Sequence, residues 1–193
     1  MKIGAGVEWA IHCCVVLSGA SEPVSAQKLA EYHGISRSYL AKALQALSRT
    51  GIVATSEGRI GGYVLARPAT EVTMLDVIRA VEGPGPAFRC TEIRQNGPFG
   101  APPEECRRPC GVAQAMADAE NAWRSSLAAV TIADLAHGAV AGRSPERAAA
   151  ISAWLQPGAS EPRHEQGPRD ESALATGAVR RARRDSNPRP SDP

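Results

Sequence analysis

Five cysteines and a small basic island are the residues of this chain with evident chemistry. Cys90, Cys106 and Cys110 lie in a stretch rich in proline and glycine, with fifteen residues between the first two and a C-x3-C spacing for the last two. Thiols in such a setting can hold a metal, exchange redox equivalents or simply pack. Cys13 and Cys14 are neighbours in an apolar stretch, and on a helix their side chains diverge by about a hundred degrees, so buried packing is their expected role. The N-terminal stretch offers only Lys2 before Glu8, Trp9 and His12 interrupt its apolar character, which makes a poor signal peptide. No run of about eighteen apolar residues is present, so no membrane span is expected. A reducing cytoplasm is the expected location, and cysteines there are more often buried, redox-active or metal-bound than disulfide-paired.

The second chemical feature is charge. The net charge is +2, which excludes a uniformly basic, histone-like binder. Residues 36–67 carry Arg37, Lys42, Arg49, Arg59 and Arg67 against Glu57 alone, a local +4 on a nearly neutral chain. A focused positive patch of this kind suits phosphate contact; a solvated helix face is the bland alternative.

The elements that must position these residues can be read from periodicity and caps. Val7, Ala10, Ile11, Cys14, Val15 and Leu17 recur at helical spacing and stop at Gly19. Ser25 has the character of an N-cap for a short helix through Leu29 and Tyr32, which Gly34 ends. Ser36 caps a third helix over 37–50 whose Leu40, Leu44 and Leu47 share one face. Two short β-prone runs, Ile52-Val53-Ala54 and Tyr63-Val64-Leu65, flank a glycine-rich turn and predict a hairpin. Thr73 caps a further amphipathic helix ending at Gly83. The fold expected is mainly α with a small β-hairpin wing: a winged helix-turn-helix over 1–83, then a cysteine-containing loop over 84–111. A dimerisation helix and a short terminal helix, 132–136, follow within 112–136, and a flexible tail fills 137–193. The prolines of the loop forbid a long helix there, and a loop of this length needs something to hold it. Val112, Met116, Ala119, Trp123 and Leu127 form a narrow stripe resembling a coiled-coil seam. Beyond about residue 157 large apolar residues are almost absent, and the Arg180-Arg181-Ala182-Arg183-Arg184 cluster there adds at most weak, salt-sensitive DNA affinity.

In a winged helix-turn-helix the helix over 37–50 enters the major groove. Its leucines face the core, which leaves Arg37, Ser38, Tyr39, Lys42, Gln45 and Arg49 available. Ser38 and Tyr39 can donate to phosphates or base edges, while Lys42 and Gln45 are placed for base contacts. Arg59 at the hairpin tip suits the negative potential of a minor groove. The partner expected is double-stranded DNA, with no membrane partner.

The run Ile35-Ser36-Arg37-Ser38-Tyr39-Leu40, then Gly58-x-x-Gly61-Gly62-Tyr63, then a cysteine loop before a long helix, resembles the iron–sulfur winged-helix regulator family containing IscR and NsrR. Trp9, Cys13, Cys14 and Cys90-Thr91-Glu92-Ile93-Arg94 make the likeness closest to redox-responsive members. The resemblance covers about residues 1–136. It implies a homodimeric repressor that senses through an iron–sulfur cluster and has no enzymatic activity. Two departures stand out: Glu57 occupies the place of an arginine before the first wing glycine, and Cys90 is far from Cys106.

If all three loop cysteines were ligands, one more protein ligand would complete a four-iron cluster; if two were, two other ligands would complete a two-iron cluster. Glu8 sits in an apolar stretch where a carboxylate is costly unless paired or ligating, and His33 ends the second helix. In the family the loop of one subunit meets the N-terminal region of its partner. The favoured set is therefore a 2Fe–2S cluster held by Cys90 and Cys110 of one subunit with Glu8 and His33 of the other, and Cys106 as the alternative thiol. Trp9, beside Glu8, is the candidate for coupling the cluster to DNA affinity. Rival readings are a four-iron nitric-oxide or iron–sulfur-status sensor, a zinc or thiol switch on the same DNA reader, an iron–sulfur enzyme or electron carrier, and a protein adaptor. No phosphate loop or nucleophile–base constellation supports the enzyme.

Overall fold

The computed structural model describes residues 3–57 and 61–156. α1, Ala5–Ser18, buries Val7, Ala10, Cys13, Cys14 and Leu17 and ends at Gly19. α2, Ala26–His33, starts where the Ser25 hydroxyl accepts the Lys28 amide at 3.2 Å. It stops at Gly34, whose φ of 65° is the left-handed conformation that a residue with a Cβ resists. Two residues later the Ser36 hydroxyl accepts the Tyr39 amide and opens α3, Arg37–Arg49. Leu40, Ala43, Leu44 and Leu47 of α3 are buried against α1, α2 and Ile52.

β1, Val53–Ser56, pairs antiparallel with β2, Gly62–Leu65, in the register Val53 to Leu65 and Ser56 to Gly62. The hairpin is fastened to the body through Tyr63, which exchanges two backbone hydrogen bonds with Val24, at 3.0 and 2.8 Å. A Cβ on Gly62 would lie 2.6 Å from the Val24 carbonyl oxygen, so this close approach requires glycine. The expected wing tip, 58–60 with Arg59, lies outside the described residues.

α4, Met74–Glu82, and α6, Ile132–Ala141, both begin with complete capping boxes, Thr73 with Asp76 and Thr131 with Asp134. The two caps lie side by side: Met74 N–H donates to Val130 and Ile132 N–H to Val72, which locks α4 and α6 together over the buried Ile132. Between them run the loop, with only short 3₁₀ turns at Ile93–Gln95 and Pro103–Cys106, and α5, Gly111–Ala128. No residue of α5 is buried, and Val112 and Met116 stand 65% and 41% exposed. Val112, Met116 and Ala119 of the expected seam are thus open in the single chain, while Trp123 and Leu127 are half-buried.

The flexible tail expected from residue 137 is corrected by the structure for the residues it describes. α6 runs on to Ala141 rather than ending at 136, and α7, Pro145–Leu155, follows behind a Ser144 cap. The segment is rich in alanine, but three apolar side chains gather: Leu155 is buried, while Ile151 and Trp154 pack on the core. Lys28 of α2 lies over the Trp154 ring and its ammonium donates to the carbonyls of Trp154 and Gln156. A cation on the last carbonyls of a helix satisfies groups that the helix itself cannot. The remainder of the tail, with the arginine cluster at 180–184, lies outside the described residues.

Leu155→Ala should therefore cost about 2–3 kcal/mol of unfolding free energy, as a buried leucine does and a residue in a flexible tail does not. Urea denaturation of the full chain measures it, and a change within error of zero would contradict the docking of α7.

Candidate functional site

Arg37, Ser38, Tyr39, Lys42, Gln45 and Arg49 are all exposed on α3, opposite the buried leucine stripe. The side of the helix that is free is therefore the polar and basic one. Tyr39 is 49% exposed, a large aromatic left in solvent on a helix whose other large apolar side chains are buried. Arg49 is partly committed already, because its Nε donates to the Gln45 carbonyl at 3.3 Å. Ser38 sits near Ser36, hydroxyl to hydroxyl 3.3 Å apart, at the N-terminal end of the helix, where free amides favour an anion.

The donors expected to hold a cofactor fall into two separate groups. Glu8 and His33, with His12, line one largely apolar hollow of about 460 Å³ bounded by α1, α2, α4, α6 and the end of α5. Glu8 is exposed, so the burial cost expected from its apolar sequence neighbours does not arise within one chain; its side of α1 is simply open. His33 is the opposite case. Its Nε2 is buried and, among the described residues, has no hydrogen-bond partner. Burial, and next the proximity of His12, lower its pKa and favour the neutral ring whose free nitrogen can ligate. Trp9, His12 and Tyr32 surround it with ring centroids at 6.1, 5.9 and 5.0 Å. Trp9 thus lies beside His33 as well as beside Glu8 in the sequence.

The thiols form the second group. Cys90 is exposed, and it lines a hollow with Glu92 and the half-buried Cys106. Cys110 is the N-cap of α5, and its sulfur accepts the Ala113 amide at 3.5 Å. That amide, followed by the Val112 amide and the Arg94 guanidinium, draws the Cys110 pKa below the usual thiol value. A thiolate is the form that binds metal. Cys13 and Cys14, by contrast, are buried with pKa values pushed up to about 12, foremost by burial, and are packing residues as expected. No group of three or more histidine, cysteine or carboxylate side chains able to hold a metal occurs within one chain among the described residues.

Two braces hold the thiol loop, and neither was anticipated. Glu120 and Arg124 of α5, paired at 2.6 Å, grip its root: Glu120 accepts the Ala87 amide at 3.1 Å and Arg124 donates to the Gly85 carbonyl at 2.9 Å. Their i,i+4 spacing was visible in the sequence, but their target was not. Arg94 crosses the loop further on, donating to Glu92 at 2.5 Å and to the Arg108 carbonyl at 2.9 Å.

The chain is similar to known proteins in sequence and in fold. A family model described as Rrf2, an iron-dependent transcriptional regulator, matches residues 3–138. The protein aau3 of Rhizobium meliloti is 32% identical over 136 residues, 70% of this chain and 84% of its own length. The HTH-type transcriptional repressor NsrR of Streptomyces coelicolor is 28% identical over 120 residues, 62% of this chain and 76% of its own. The structure of T. potens IscR superposes with a TM-score of 0.57 at 22% identity, covering 75% of this chain and 93% of that one, and shares its fold.

The two classes of thiol should separate by alkylation. In the metal-free protein near neutral pH iodoacetamide is expected to label Cys110 well before Cys13 and Cys14, since the rate follows the thiolate fraction. A lowered pKa raises that fraction at a given pH, so Cys110 labelling saturates as pH rises before an ordinary thiol would. Cys13 and Cys14, at about 12, stay unlabelled until the chain unfolds. Peptide mapping reads each site, and equal rates at all of them would contradict the assignment.

Proposed function

The chain belongs to the Rrf2 family of transcriptional regulators and is a DNA-binding regulator rather than an enzyme, and from that premise we propose that it is a homodimeric cytoplasmic repressor whose operator affinity follows the redox state of a 2Fe–2S cluster. The observation that carries the reading is the division of its donors. Glu8 and His33, whose Nε2 is buried without a partner among the described residues, line one hollow, while the thiols of Cys90 and Cys110 lie in the loop and at the start of α5, so neither set is complete alone. Two protomers facing each other would complete the set from both. The exposed stripe of α5, with Val112 and Met116, supplies an apolar face for that pairing. The donor set fits the group: two thiolates for iron, and a neutral imidazole and a carboxylate as the two remaining ligands.

A bound 2Fe–2S cluster supplies a one-electron change of charge at this position. The protein's part is to convert it into movement of α3. His33 is the last residue of α2, and only Gly34 and Ile35 separate it from the Ser36 cap of α3. Trp9 packs on the His33 ring and carries any shift into α1. Lys42 and Gln45 then read base edges while Arg37, Ser38 and Tyr39 hold the backbone, with Arg59 of the wing in the adjacent minor groove. Half-site spacing is set by the dimer, so a small rotation of the paired α3 helices loses affinity. A second reading is favoured by Cys106, which lines the same hollow as Cys90: three loop thiolates would suit a four-iron cluster in a nitric-oxide or iron–sulfur-status sensor.

Anaerobically purified protein should contain iron and sulfide in equal amounts and give the resonance Raman bands of a two-iron cluster with mixed ligation. Duplexes selected from a random-sequence library should be retarded by one redox state more than by the other. Lys42→Ala should weaken that retardation roughly tenfold without changing the cluster. Colourless protein after anaerobic loading with iron and sulfide, or equal DNA affinity in both states, would overturn the redox reading; four irons per cluster would select the second.

A further inference from the structure

The loop that carries the thiols is 84–110, long, rich in proline and glycine, and largely without regular structure. Closing such a segment on itself is entropically costly, and nothing in its backbone pattern places Cys90 near Cys110. One side chain crosses it. Arg94 donates from Nε to a Glu92 carboxylate oxygen at 2.5 Å, and from its terminal nitrogen to the carbonyls of Arg108 at 2.9 Å and Cys106 at 3.4 Å. Its own carbonyl accepts the Ala101 amide at 2.8 Å. Three passes of the loop, at 92, at 101 and at 106–108, therefore converge on a single residue.

The local backbone bears the marks of that convergence. Glu92 has φ 52° and ψ 48°, and it is the one non-glycine residue with positive φ among the described residues. A non-glycine residue stays in that region only where its surroundings hold it, and the Glu92–Arg94 pair is what holds it here. At Gly100 a Cβ would lie 2.5 Å from the Gln95 carbonyl oxygen, a measure of how tightly the middle pass is drawn in. The fork of a guanidinium can serve a carboxylate and two carbonyls at once; an ammonium cannot reproduce that geometry.

We propose that Arg94 is the positioning residue of the thiol site: it assembles the Cys90 arm against the Cys106–Cys110 arm and sets a permanent positive charge beside the ligand thiolates. The inference rests on the cluster reading above for what the thiols hold, but the brace is made by the chain's own groups. Groups behind the ligands commonly govern both retention of a metal and its electronic properties. Here the two roles separate, because the geometry belongs to the fork and the charge does not.

The test uses full-length Arg94→Gln and Arg94→Lys beside the unaltered chain, each loaded anaerobically with iron and sulfide. Arg94→Gln should lose its cluster to a chelator about tenfold faster. What remains should have a lower midpoint potential, because reduction adds negative charge that the guanidinium favours. Arg94→Lys should also lose the cluster faster, yet keep a midpoint potential near that of the unaltered chain. Retention and potential unchanged in both variants would overturn the proposal, and a potential that falls equally in both would overturn the assignment of charge. In the metal-free proteins, amide exchange at Gln95 and Ala101 should quicken in Arg94→Gln; unchanged exchange rejects the brace whatever the metal does. If the unaltered chain takes up no iron and sulfide, the cluster reading fails instead, and exchange alone decides the role of Arg94.

Discussion

Between His33 and Ser36 the chain has two residues in which to end one helix, turn, and begin the next, and the rest of the molecule is arranged around that constraint. Gly34 takes the left-handed conformation, the Gly34 and Ile35 amides fold back on the carbonyls of Glu31 and Ala30, and Ser36 caps α3 at once. Leu29 on one side and Leu40, Leu44 and Leu47 on the other lock the pair into the main core. A turn this short has little compliance. The position of the His33 ring and the orientation of α3 are therefore closely tied. α7 adds to the stiffness from behind, since Lys28 and Tyr32 of α2 are engaged by Trp154 and by Arg143.

What the sequence made legible was local. Caps at Ser25, Ser36 and Thr73, stops at Gly19, Gly34 and Gly83, and the leucine stripe of α3 act within three or four residues, and each appears where its local chemistry puts it. The wing followed from two β-prone runs and a glycine turn, but its attachment at Val24 did not, because that pairing joins segments far apart in the chain. The same reason hid α7. An alanine-rich segment has little amphipathic signal, and its partner Lys28 lies 126 residues away from Trp154.

The candidate site was legible by residue type and much less by environment. The sequence neighbours of Glu8 imply a costly buried carboxylate, yet burial depends on which face of α1 is covered, and Glu8 is exposed in one chain. In the sequence His33 is marked only by its place at a helix end; the stronger fact, a buried ring nitrogen with no partner among the described residues, exists only in three dimensions. Arg94 and the Glu120–Arg124 pair act on irregular backbone, where no periodicity exists to be read.

A divided donor set has a thermodynamic consequence. On the proposed reading, completing the coordination requires two protomers, so the free energy of binding the cluster and that of association are linked, and each raises the apparent strength of the other. The α5 stripe alone offers a modest apolar face, with Val112 and Met116 exposed and no residue of the helix buried. Such a face suits an interface that can shift, whereas a large dry one would hold a single arrangement. The rigid parts then lie at the two ends of the path: the braced loop that holds the thiols, and the short turn that joins His33 to α3. Compliance is left to the contact between subunits. A change of one charge at that contact then has somewhere to act, because an interface close to balance responds to a small bias while the stiff turn transmits the displacement to the reading helix without dissipating it.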